Sequence, residues 1–138
     1  MDINRDFPFS VNGDDSDCLS TVAGRIIYKL FTQNDFQASL TFHGGDNVIG
    51  YPWGAYSRSW RKDSGGYVGL TSPDVNSFVG VGKLMRAAAK VTYEPQSSRT
   101  SIRDYVLGDM SSTVYPVNGG MEDWAYGASW DDQNNGVA

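Results

Sequence analysis

Hydrophobic and polar positions follow a helical period in two stretches of the chain and a strand period in others. Leu19, Val22, Ala23, Ile26, Ile27 and Leu30 recur at spacings of three and four, which predicts an amphipathic helix ending near Phe31 with one apolar stripe. Ser16 or Asp17 can cap its start. A polar turn, Thr32 to Asp35, leads into Ser39-Leu40-Thr41-Phe42-His43, where the period falls to two and predicts a strand with two unlike faces. Gly44 and Gly45 follow directly, so the backbone there can turn sharply or come close to another group. Ser72-Pro73-Asp74 predicts a second helix start: a cap residue, proline at the first helical position, then an acid near the positive end of the dipole. Val75, Phe78, Val79 and Met85 give that helix one apolar face, and it is expected to run to about Lys90. Val91 to Tyr93 is expected to be a short extended piece, Gln96 to Arg103 a polar loop, and Tyr105 to Gly108 a further extended stretch. Ala55 to Leu70 is expected to be a long surface loop of the kind that often covers a site. Asn118-Gly119 predicts a turn that enters a last helix. Helix, short loop and strand in this order is the unit of an α/β layer structure.

At 138 residues the chain is one domain at most. A net charge of −5 and the lack of a Lys/Arg cluster exclude a nucleic-acid partner, because nothing is available to neutralise phosphates. Arg58, Arg61 and Lys62 beside Trp60 are too few to change that conclusion. No apolar run approaches membrane-spanning length and no signal peptide opens the chain, so no membrane partner and no compartment is indicated. Cys18 is the single cysteine, and no internal disulfide can form. Asp2, Asn4 and Asp6 alternate like the start of a calcium loop, but the glycine and the later glutamate of an EF-hand are missing, and a plain polar turn is expected. Both ends read as cut: the chain opens without a polar lead-in and closes on a polar tail, Asp131 to Gly136.

The candidate chemistry starts from His43, the chain's one histidine. A metal-capable imidazole at a strand end beside a flexible turn suits a site in an α/β protein, although a lone histidine is also a common structural residue. Three blocks then occur in order: Asp2-Ile3-Asn4-Arg5-Asp6-Phe7; Leu40-Thr41-Phe42-His43 with Tyr51-Pro52-Trp53-Gly54 after it; and Tyr115-Pro116-Val117-Asn118-Gly119-Gly120-Met121-Glu122-Asp123-Trp124-Ala125-Tyr126. Together they resemble the zinc metallocarboxypeptidases of the carboxypeptidase A/B type, in a divergent His-Gly-Gly branch of unicellular eukaryotes. The resemblance implies a three-layer α/β/α fold with a mixed, mainly parallel central sheet. Residues 1–138 would form a partial peptidase catalytic domain, its central to late part.

Such enzymes hydrolyse the last peptide bond of a peptide or protein, so peptide and protein C-termini are the implied partners. One zinc ion, held by two histidines and a glutamate, activates a water. The resemblance makes His43 one of those ligands. It makes Asn4 and Arg5 the pair that grips the terminal carboxylate, a task suited to the planar fork of arginine. Tyr115 matches the mobile tyrosine that closes over the substrate. Glu122 matches the floor of the specificity pocket, where an acid would favour a C-terminal Lys or Arg; an acid in the first turn of a helix is also favourable for dipole reasons alone. Gly44-Gly45 departs from the polar-aromatic pair usual after the histidine. The His-x-x-Glu that supplies the other two ligands and the general-base glutamate find no match, so the chain alone is expected to bind zinc weakly or not at all, to lack peptidase activity, and to be marginally stable or prone to aggregate. The alternative is a non-catalytic binding module that retains Asn4, Arg5 and Tyr115 as a carboxylate clamp.

Overall fold

The structure is a computed structural model, and it describes residues 2–8, 18–92 and 104–127. Its elements are α1 (Val22–Thr32), β1 (Val48–Tyr51), β2 (Ser59–Arg61), β3 (Tyr67–Gly69), α2 (Val75–Thr92), β4 (Val106–Asp109), α3 (Met110–Thr113) and α4 (121–127), with single 3-10 turns at Ile3–Arg5 and Tyr56–Arg58. β1 and β4 pair in parallel from Val48↔Val106 to Tyr51↔Asp109. Their connection contains α2, which packs back on both strands: Phe78 stacks on Tyr51 at 5.8 Å, and Gly82 lies so close to Leu107 that a Cβ would collide with it. A parallel pair joined through a packed helix is the βαβ arrangement, so the α/β class stands. No helix among the described residues is long and apolar enough to cross a membrane.

The expected strand at Ser39–His43 is corrected. This segment has no ladder partner among the described residues, and Leu40 and Phe42 are 64% and 90% exposed. Alternation supplies two faces, but a strand exists only where a neighbour takes up its N–H and C=O groups; the first such pairing begins at Val48. The long loop at Ala55–Leu70 is also corrected. Ser59↔Gly69 and Arg61↔Tyr67 pair as an antiparallel hairpin, turned by Gly65 and Gly66 at φ of 88° and 78°, which only glycine adopts freely. α2 runs on through Val91 and Thr92, where an extended piece was expected; no glycine or proline interrupts Ala87 to Thr92 to stop it. The polar loop at 96–103 and the caps Ser16 and Asp17 lie outside the described residues.

The helix starts differ from expectation for local reasons. Thr21 caps α1, its hydroxyl accepting the Gly24 N–H at 2.9 Å, while Leu19 stands outside the helix in a left-handed conformation. Ser72 does not cap α2. The Asp74 N–H donates to the Tyr126 hydroxyl at 3.1 Å and the Val75 N–H to the Ser72 carbonyl at 3.1 Å, so no donor is left for the Ser72 side chain. The stripe of α1 is displaced too. Val22, Ile26 and Leu30 are exposed, whereas Tyr28 and Phe31 contact Trp124 at 5.2 and 5.7 Å. Aromatic area outweighs the aliphatic positions in choosing the face that packs.

The core lies under the first and third sequence blocks. Phe7 is fully buried and stacks on Trp124 at 5.1 Å; Trp53 and Ala55 complete the buried apolar set. Asp6 is fully buried beside them and accepts bonds from the backbone N–H and the hydroxyl of both Ser20 and Thr21, at 2.6 to 3.0 Å. Burial alone would raise its carboxyl, but these bonds outweigh burial and hold it at about 2 instead of the ordinary 3.8. Because its folded value is depressed, the stability it contributes is complete above 3.8 and is lost as pH falls through about 2. Asp6→Asn is expected to lower the denaturation midpoint at pH 7 and to flatten the decline between pH 4 and 2; a decline as steep as that of the native chain in an acid series of urea unfolding curves would refute this role.

Candidate active-site pocket

The three blocks meet through hydrogen bonds between backbone and side chains. Asn4 Oδ1 accepts the Met121 N–H at 2.8 Å, at the start of α4, and so supplies a cap from a distant part of the sequence. The Phe7 N–H donates to the Gly119 carbonyl at 3.2 Å. Gly119 has φ 76°, and a side chain there would strike the Arg5 backbone. From the second block, the Gly54 carbonyl accepts the Val117 N–H at 2.8 Å and the Tyr56 N–H donates to Asn118 Oδ1 at 3.1 Å. The deepest link is Asp123. Its carboxylate takes the Gly54 N–H at 2.8 and 2.9 Å and the Ala55 N–H at 2.5 Å.

A pocket of about 280 Å³ opens over this junction, and Asn4, Arg5, His43, Tyr115 and Glu122 all line it. Asp2, Thr41 and Asp46 line it as well. Arg5 is anchored on one side: its Nη1 donates to the Asn4 carbonyl at 2.6 Å and lies 3.6 Å from the Asp2 carboxylate. Its Nη2 donates to the Tyr115 hydroxyl at 3.2 Å. Tyr115 is 55% exposed, so this phenol caps the guanidinium from the solvent side. Glu122 Oε1 is buried, and no donor among the described residues reaches it. It lies against Gly54 and Gly120, where a Cβ would stand 3.4 and 2.5 Å from it.

His43 is exposed at the rim, after the unpaired segment. Among the described residues no three His, Cys, Asp or Glu side chains are grouped to share a metal ion. One imidazole falls short of the three protein ligands that a catalytic zinc takes, so the described donor set does not fit a zinc site. The hairpin expected to cover the site contributes nothing to its lining. Asp123 was not singled out by sequence reasoning, although it stands inside the third block; its signal is an acid beside tryptophan just after the glycine turn. Burial pushes its carboxyl up to about 6 from 3.8; the Gly54 and Ala55 N–H bonds oppose this, Glu122 adds to it, and Arg58 opposes it.

Comparison with known proteins bears on this geometry. The family description "Zinc carboxypeptidase" matches residues 1–131. Carboxypeptidase SOL1 of Arabidopsis thaliana is 29% identical over 130 residues, 91% of this chain and 23% of that protein. Mast cell carboxypeptidase A of Homo sapiens is 25% identical over 93 residues, 67% of this chain and 18% of that protein. The chain therefore spans about a quarter or less of the curated relatives it matches. No solved structure gives a significant match. With a match that extends from the Asn4-Arg5 turn past α4, the chain belongs to the zinc carboxypeptidase family.

Proposed function

We propose that the pocket binds the C-terminus of a peptide or protein: Asn4 and Arg5 hold the carboxylate, Tyr115 closes over the ligand, and Glu122 receives the last side chain. The observation that carries this is the state of Arg5. Its Nη2 faces the pocket with a neutral phenol as acceptor. An ionised carboxylate is a stronger acceptor than a phenol and matches the guanidinium fork, so it would displace the phenol and leave Tyr115 beside the ligand. Buried Glu122 Oε1 offers an unused acceptor on the same wall, suited to a C-terminal Lys or Arg.

In the complete protein this pocket serves carboxypeptidase action, with His43 as one zinc ligand. His43 is the chain's only histidine, so a second histidine ligand comes from another segment, as do the glutamate ligand and the general base. The described chain is part of a larger three-layer α/β/α catalytic domain. Two observations support this: the small share of its relatives that it spans, and the apolar side chains it leaves uncovered. Val22, Ile26 and Leu30 on α1, Leu40 and Phe42 after it, and Val81 and Leu84 on α2 are each 49% to 90% exposed. Apolar positions repeated along one element and left to water usually have a packing partner.

A short peptide with a free C-terminus is expected to bind the chain, and its C-terminal amide to bind at least about tenfold more weakly, the worth of one charge-assisted bond. Arg5→Lys should cost a similar factor, because the ammonium cannot form the bidentate pair; equal affinity for acid and amide in a fluorescence titration would remove the clamp. With added zinc, the chain alone is expected not to hydrolyse a blocked dipeptide. Chelator-sensitive release of the terminal residue would overturn the assignment of the missing groups to other segments. Sedimentation velocity is expected to show association that increases with concentration, and a monodisperse monomer at high concentration would count against the larger domain.

A further inference from the structure

The hairpin of β2 and β3 takes no part in the pocket, and one of its edges is open. The Leu70 N–H donates to the Arg58 carbonyl at 2.7 Å and the Lys62 N–H to the Gly66 carbonyl at 3.1 Å, with Trp60 opposite Val68 between them. Bonded positions alternate along an antiparallel pair. The backbone of Trp60 therefore faces β3, and that of Ser59 and Arg61 faces outward. The outer edge of β3 is already engaged, because Asp109 takes the Gly69 N–H at 2.9 Å. On β2 the Ser59 N–H turns back to the Tyr56 carbonyl. The Ser59 carbonyl and both backbone groups of Arg61 are left without a partner among the described residues. Successive strand residues point to opposite faces, so Trp60, 54% exposed, marks one face of this edge and the exposed Arg61 the other. No acid among the described residues pairs with Arg61 or with Lys62 beside it.

We propose that the β2 edge docks an extended acidic segment of a partner protein, which adds an antiparallel strand beside Ser59–Arg61. Charge chooses this occupant. The stretch 56–70 sets three cations against Asp63 in a chain of net −5. A second copy of the hairpin would bring Arg61 and Lys62 against their own kind, and like charges across a strand pair are destabilising. An acidic strand meets the opposite condition. Nucleic acid and lipid headgroups are anionic too, but they offer no N–H and C=O ladder to the open groups of Arg61. A residue directly opposite Arg61 exchanges both backbone bonds with it and shares its face, so an acid belongs there. Its neighbours in the added strand fall on the Trp60 face, where an apolar side chain is favoured. The recognised pattern is thus alternately acidic and apolar, with Trp60 as its aromatic anchor. No residue of 56–70 lines the pocket, so the two sites are separate.

The probe is an octapeptide of alternating glutamate and valine, acetylated and amidated so that its end offers the Arg5 clamp no carboxylate. Titrated into the full chain, it is expected to saturate, with the largest backbone amide shifts by NMR at Ser59 to Lys62, and to weaken as salt screens the charges. Trp60→Ala should weaken binding at least about tenfold, as loss of a central aromatic does. Arg61→Glu should weaken it about fivefold, because exposed ion pairs are worth little. Should either variant not fold, the shift map of the native chain decides. A copy methylated at its glutamate nitrogens cannot bond Arg61 and should not bind, whereas a copy methylated at its valine nitrogens should. Equal binding by the two copies overturns the strand pairing, and equal binding by a lysine-valine peptide overturns the selection by charge. No binding of the probe, or largest shifts away from the hairpin, overturns the site. Phosphatidylserine vesicles bound more tightly than the probe, and less tightly by Trp60→Ala, would give the surface to a membrane instead. Self-association of the native chain that is lost in Trp60→Ala would give it to a second copy.

Discussion

The carboxylate of Asp123 is the contact on which the pocket depends. Gly54 and Ala55 lie in a segment without regular pairing, and their N–H groups are buried. A buried N–H without an acceptor costs a large part of a hydrogen bond's gross value. An ionised acid can satisfy both at once, and more strongly than a neutral oxygen. Asp123 is presented at the right depth, in the first turn of α4 and beside Trp124, whose ring is fixed by Phe7, Tyr28 and Phe31. The aromatic cluster therefore sets the position of the acid, the acid sets the path of Gly54 and Ala55, and that path forms the floor on which Glu122 lies.

The same device recurs. Asp6 gathers the N–H groups of Ser20 and Thr21 at the start of α1, and Asp109 takes those of Gly69 and Ser112, joining the hairpin to the end of β4. Short ladders leave much of this backbone without a sheet or helix partner. Acids placed at the crossings do the work that longer strands would otherwise do. Their electrostatic consequences differ with the balance at each site. The four bonds to Asp6 outweigh its burial and depress its carboxyl, whereas desolvation prevails at Asp123. One fold thus contains acids whose effects on stability run in opposite directions with pH.

What sequence reasoning could see follows the same division. Local chemistry was legible where one residue type answers one local demand: the Asn118-Gly119 turn into α4, the amphipathic body of α2, and the extended run before Gly108. It was misleading where the outcome depends on a distant partner. The alternation of Leu40 and Phe42 promised a strand, but pairing is a property of two segments. The aliphatic stripe of α1 promised a buried face, but Trp124, almost a hundred residues away, attracted Tyr28 and Phe31 instead. Ser72-Pro73-Asp74 does lead into α2, but the cap expected of Ser72 fails, because the Tyr126 hydroxyl takes the Asp74 N–H that the cap would have bound. The residues of the candidate site were reached through the order of the three blocks; no one of them announces its neighbours at short range.

Arg5 and Glu122 place opposite demands on the same small pocket. A guanidinium that faces solvent through a phenol attracts anions, while a buried carboxylate oxygen without a donor repels them and waits for a cation. A zwitterionic end that is negative at its terminal carboxylate and positive at its side chain answers both, and a simple anion or a simple cation answers only one. Specificity of this kind comes from the cost of leaving a buried polar group unpaired more than from the gain of pairing it. A ligand with an apolar last side chain would leave Glu122 Oε1 desolvated against Gly54 and Gly120, where the absence of side chains lets the acid approach the backbone. With Glu122 as the proposed receiver of the last side chain, Gly54 of the second block and Gly120 of the third would share in that selectivity, because they let an acid stand at the pocket floor with its oxygen buried and without a donor among the described residues.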